Sequence, residues 1–171
     1  MSDLIYSTRL FEGMLVTSDE YWDRYEKFVL DCLIIPHITN TINYAGLGLI
    51  EEGLELLESI RTKPYSEDNL LESGDFLFYA VLLQHHRPHL NFNFHPIGVA
   101  LEDTNEYIRM VAKFAKLHSH FIHGRKGSDD YDRECRHFVN SIFQHIVHYC
   151  KCPLHIVAGK NVEKLQSRYS S

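Results

Sequence analysis

The chain is predicted to be all-α, a helical bundle of five or six helices in one domain spanning residues 1–171. Three observations predict it. Apolar residues recur at three- and four-residue spacings over long stretches. Ser, Thr, Asp, Gly and Pro interrupt those stretches at positions suited to helix ends. Strand-like alternation is absent over any useful length, since Phe92-Asn93-Phe94 is too brief to count.

The elements follow in order. Thr17-Ser18-Asp19-Glu20 reads as a capping box opening a helix to about Cys32, with Pro36 beyond it. Asn43 to Ile60 is the second helix. Leu47, Ile50, Leu54 and Leu57 are expected to form its apolar stripe, with Glu51, Glu55 and Glu58 as another. The break Arg61–Asn69 contains Pro64, and Ser66 is placed to cap a third helix from about Glu67 to His86, ahead of Pro88. Arg87 to Gly98 is a loop. A fourth helix is expected from about Val99 to Phe121 and a fifth from about Asp130 to Tyr149, capped by Ser128 or Asp129 after a Gly-flanked break. Pro153 suits the first turn of a last helix ending near Arg168.

Bulk properties narrow the function. An apolar fraction of 44% and a charged fraction of 23% are those of an ordinary globular protein. Mild acidity argues against a nucleic-acid binder, and the apolar runs are too short for a membrane span. The N-terminal stretch has no long apolar run, so no signal peptide is expected. Cys32, Cys135, Cys150 and Cys152 are then most simply free thiols in a reducing cytoplasm. Cys150-Lys151-Cys152 near His145 and His148 has narrower spacing than zinc-binding cysteines usually show, and no second pair completes it.

The charge is not spread evenly. Residues 51–75 hold eight acidic residues against two basic ones, a net of −6, which is the net charge of the whole chain. The rest is neutral, so the acidity belongs to one hairpin. Within it stand Glu52-x-x-Glu55 and Glu72-x-x-Asp75. Carboxylates three residues apart share a helix face. The second pair is embedded in Leu, Phe, Tyr and Val, with no basic residue within a turn. Such groups repel and resist burial unless something neutralises them. A hard divalent cation does so; the alternative reading is a solvated acidic face.

A loose internal echo is also present. Glu51–Glu55 resembles Glu102–Glu106, and Leu70–Leu83 is echoed by Arg136–Tyr149, with His137 and Asn140 within one position of where Glu72 and Asp75 stood. This reads equally as a degenerate duplication, with half-repeats 40–97 and 98–169, or as chance likeness between amphipathic helices.

LGLIEEGLELL followed by LLESGDFLFYAVLL resembles the E-x-x-E … E-x-x-D signature of the MazG-like, all-α nucleoside triphosphate pyrophosphohydrolases. Asn43-Tyr44-Ala45 is similar to their lead-in, and Asn161-x-x-Lys164-Leu165-x-x-Arg168-Tyr169 to their C-terminal tail. His123-Gly124 resembles a His-Gly of the family, here displaced into the second half. The likeness is closest over Asn43–Leu83 and looser over Asn140–Tyr169.

The resemblance implies a Mg2+-dependent hydrolase that converts a nucleoside triphosphate to a monophosphate and pyrophosphate, with Mn2+ as a substitute ion. It implies Glu52, Glu55, Glu72 and Asp75 as metal ligands and a homodimer or higher homo-oligomer. Glu55 or Glu51 would be the catalytic base. Lys126 (with Arg125), Asn161, Lys164 and Arg168, together with Lys160, are the candidates to bind the triphosphate. Each of these cations reads otherwise as a solvated helix-end charge, and Asn161 otherwise as a cap. Most aromatics after Asp75 are expected in the core, with one left to stack on a base.

Two departures stand out. Asp75 and Asn161 are 86 residues apart, farther than in single-copy relatives. That gap is compatible with the fused, dimeric-dUTPase-like branch. Ser73 also replaces the usual apolar residue within E-x-x-D. Two other functions remain open: a dUTP-specific pyrophosphatase, and a non-catalytic helical regulatory or assembly protein retaining the scaffold.

Overall fold

A computed structural model describes residues 18–33, 40–101 and 103–169. The expectations resting on Thr17, Pro36 and Glu102 lie outside them. Six helices follow one another: α1 (Ser18–Asp31), α2 (Thr41–Thr62), α3 (Glu67–His86), α4 (Thr104–Ile122), α5 (Ser128–Cys150) and α6 (Leu154–Tyr169). A 3-10 turn spans Pro88–Leu90, and no strand occurs among the described residues. The protein is an all-α bundle, and no helix is long and apolar enough to cross a membrane.

Helix starts follow local hydrogen bonding. α2 begins before Asn43 because Asn40 caps it, its Oδ1 accepting from Asn43 N at 3.0 Å. Ser66 stands at the N-cap of α3 but makes no side-chain cap bond. α4 starts at Thr104, five residues later than expected. Asp103 Oδ1 accepts from Asn105 N at 2.8 Å, fixing the cap. The preceding segment is instead tied across α5: Val99 N donates to Gln144 O and Leu101 N to His145 Nδ1, both at 3.0 Å.

α3 is the central element, packed against α1, α2, α5 and α6. Phe76, Leu77, Ala80, Leu82 and Leu83 are all fully buried, so it is apolar on more than one side, as a surrounded helix must be. Phe76 meets Phe138 and Phe143 edge-on, each at 6.1 Å. At the end of α3, Arg87 donates twice to Asp132 of α5, at 2.8 and 2.9 Å. Its guanidinium also lies over the Phe121 ring at 5.0 Å. This pair clamps α3 to the α4–α5 hairpin.

The apolar stripe of α2 differs from the expected one. Leu57 is buried and Ile50 half-buried, but Leu47 is 54% exposed and Leu54 45%. The buried side is Ala45, Leu49, Gly53, Leu56 and Ile60. Both stripes obey a helical period. The buried one meets α4, where the Tyr107 hydroxyl donates to Gly53 O at 2.6 Å.

Candidate metal centre

α2 and α3 form an antiparallel hairpin, so residues near the middle of each helix face one another. One oxygen from each of Glu52, Glu55 and Glu72 lies within 4.8 Å of the others. This is the group found among the described residues whose geometry could hold a metal ion. Glu52 Oε2 and Glu72 Oε2 are buried and have no hydrogen-bond partner. An unpaired buried carboxylate oxygen is costly. Burial, then the charges of Asp75, Glu55, Glu72 and Glu51, push the Glu52 carboxyl up to about 8. Burial, then Asp75 and the approach of Glu55, raise that of Glu72, with Lys164 opposing.

Asp75, the fourth expected ligand, faces α6. Lys164 Nζ meets its Oδ2 at 2.5 Å, and Asn161 Nδ2 donates to its Oδ1 at 3.4 Å. Asn161 is fully buried and is itself held by Tyr25 of α1, whose hydroxyl donates to Asn161 Oδ1 at 2.8 Å. Gly74 makes this approach feasible. A Cβ there would lie 2.9 Å from Asn161 Cβ, too close for any side chain without displacing α6. The small residue that admits α6 is therefore Gly74. Ser73 is buried on another side, with its Oγ 3.4 Å from Cys150 Sγ.

No protein-family model, curated protein or solved structure matches this chain.

The remaining candidates separate by position. Glu51 and Glu55 are exposed on α2. An open cleft of about 410 Å3 runs from Glu55 and Glu72 past Glu58, Ser59 and Thr62 to Lys63 and Asp68. Arg168 is exposed one turn beyond Lys164. Lys160 pairs with Glu163 at 3.4 Å. Lys126 lies between α4 and α5, 4.0 Å from Glu134, and Arg125 is exposed beside it. Of the expected phosphate-binding cations, Lys164 is thus the one whose ion pair reaches the acidic cluster. Among the aromatics, Phe76 is core, while Tyr79 is half-buried next to Tyr44, their rings 5.6 Å apart. The charges of Glu52 and Glu51 contribute to raising the Tyr79 hydroxyl pKa, after burial and Tyr44.

Tyr25 and Tyr107 were not anticipated as supports of the site. Both lie on apolar helix stripes that mark them as core. Nothing in their spacing reveals that their hydroxyls reach Asn161 and the Gly53 carbonyl. Cys150 and Cys152 are free thiols, and burial pushes the Cys150 thiol up to about 11. His145 Nδ1 accepts from the Leu101 amide, and among the described residues no group of three potential ligands includes His145, His148, Cys150 or Cys152.

Proposed function

We propose that the chain is a metal-dependent, MazG-like nucleoside triphosphate pyrophosphohydrolase, hydrolysing a (d)NTP to the (d)NMP and pyrophosphate with Mg2+, or with Mn2+ in its place. The observation carrying this reading is the pair of buried, unpartnered oxygens, Glu52 Oε2 and Glu72 Oε2, within a three-carboxylate cluster. Their donor chemistry fits a hard divalent cation. Glu52, Glu55 and Glu72 would hold it, with Asp75 available once Lys164 moves away. When bound, such an ion neutralises phosphate oxygens and polarises a water.

The chain's own residues supply the rest. Glu51 and Glu55 stand one helical turn apart on the solvent side of α2, where either can accept a proton from an arriving water. Lys164, released from Asp75, is positioned to meet a phosphate, and Arg168 follows one turn later. Asn161, buried and doubly engaged, holds Asp75. The half-buried Tyr79, beside Tyr44, offers an aromatic surface near Glu52 for a base. Exposed Leu47 and Leu54 suit the expected homodimer. A reducing cytoplasm is the setting this reading assumes for the four thiols.

The test is a screen of the four NTPs, the four dNTPs and dUTP, with Mg2+ or with EDTA, detecting pyrophosphate. At least one substrate should release pyrophosphate with Mg2+, none with EDTA, and none with Glu72→Gln or Asp75→Asn protein. Turnover of dUTP alone would assign the narrower specificity. No pyrophosphate from any of them would remove the enzymatic reading in favour of a non-catalytic helical protein.

A further inference from the structure

We propose that the cleft between α4 and α5 binds a small amphipathic monoanion, one with an apolar body and a single carboxylate-like head. The cleft shares no lining residue with the acidic cluster, and the proposal does not depend on that cluster's function. It encloses about 320 Å3, within the range of roughly 300–1,000 Å3 usual for small-molecule sites.

Its floor and mouth differ in chemistry. The floor is Phe114 and Phe138, whose rings stack at 4.6 Å and 9°, with Leu117 beside them. All three are almost fully buried and none can hydrogen-bond through its side chain. The floor therefore rewards only apolar area. At the mouth, Lys113 of α4 and Arg133 of α5 stand on opposite walls, both exposed. The acidic groups nearby already have partners. Glu134 lies 4.0 Å from Lys126, and Asp130 accepts from Arg133 at 2.9 Å. Lys113 makes no ion pair among the described residues.

A neutral apolar molecule would use the floor and leave Lys113 idle. A compact inorganic anion would use the cations and leave the floor wet. A monoanion with a hydrocarbon body uses both, its head at the mouth where Lys113 can bond it without desolvating a buried charge. Alkyl and aryl carboxylates share this chemistry.

The probe is 8-anilinonaphthalene-1-sulfonate, titrated by fluorescence into the full chain, with decanoate, 2-naphthoate and decanol as competitors. The expected result is saturable one-to-one binding, displaced by a carboxylate and far less by the alcohol. Whichever carboxylate competes at the lower concentration identifies the body as alkyl or aryl. Lys113→Glu combined with Arg133→Glu should weaken binding about tenfold or more. Both positions are exposed, so the variant should retain its fold, and circular dichroism checks this. Several results would overturn the proposal. They are binding that does not saturate, decanol competing as well as decanoate, and unchanged affinity in the charge-reversed variant. Loss of probe binding on Leu47→Glu with Leu54→Glu, rather than at the cleft, would also do so. So would a charge-reversed variant whose changed property is its oligomeric mass, since the cleft would then be an interface between copies.

Discussion

The α2–α3 and α4–α5 hairpins handle acidic side chains in opposite ways. In α4–α5 the buried Asp132 is held by two bonds from Arg87, Glu134 by Lys126 and Asp130 by Arg133. In α2–α3, Glu52 and Glu72 each bury an oxygen with no partner, and of the four carboxylates proposed as ligands only Asp75 has a cation, Lys164. The same fold thus contains both a neutralised and an unneutralised arrangement. The second costs stability wherever nothing neutralises it. The contrast separates carboxylates that hold the bundle together from carboxylates that no protein cation holds.

The largest effect is expected where neutralisation is complete. Arg87→Ala strands the buried Asp132 and should cost about 3–5 kcal/mol, measured by urea denaturation. Glu52→Gln or Glu72→Gln in the metal-free protein should leave stability unchanged or raise it. An innocuous Arg87→Ala, or a Glu72→Gln that unfolds the protein, would break the contrast between the hairpins.

Lys164 sharpens it, because its pair with Asp75 is the partial exception in the acidic hairpin. Its side chain is only 16% exposed. Lys164→Ala should therefore destabilise the metal-free protein by about 1–3 kcal/mol. Added Mg2+ should raise the Tm of that variant more than it raises the Tm of wild type. If Lys164 also meets phosphate, kcat/KM should fall about tenfold to a hundredfold.

A smaller, graded effect comes from pH. The folded-state pKa of Glu52 is raised from 4.5 to about 8, so the folded protein holds a proton that the unfolded chain has lost. Stability therefore falls as pH rises through that window. Buried His118 and His145 act oppositely. Burial lowers both, His145 to about 4, and their contribution is lost as pH falls below about 6.5. The two effects separate between about pH 6.5 and 8, where the carboxyls dominate. The Tm advantage of metal-free Glu52→Gln over wild type should grow across that interval and shrink towards pH 5. A constant difference would mean that Glu52 is not crowded.

Much of this was legible in the sequence because helices announce themselves locally. The bounds Glu67–His86 followed directly from a cap region and Pro88. The segregation of charge into residues 51–75 marked the hairpin in which Glu52, Glu55 and Glu72 cluster. What was not legible depended on contacts distant in sequence. The outward turn of Leu47 and Leu54 could not be read because two stripes of α2 have the same period. The pairing of Asp75 with Lys164 joins residues 89 apart. The late start of α4 goes with contacts of the same kind, the preceding segment being tied to Gln144 and His145 of α5. The α4–α5 cleft was missed for a similar reason: Phe114 and Phe138 look like ordinary core residues until the space beside them is seen.

The central claim is that Glu52, Glu55 and Glu72, which have no protein cation beside them, bind a divalent cation. Titration of Mn2+ into the protein, with free ion followed by its electron paramagnetic resonance signal, tests it without reference to any substrate. Wild type should remove at least one Mn2+ per chain from solution, competed by Mg2+, and a folded Glu52→Gln, Glu72→Gln double variant should remove none. Equal uptake by wild type and the double variant, or no uptake by either, would contradict the claim.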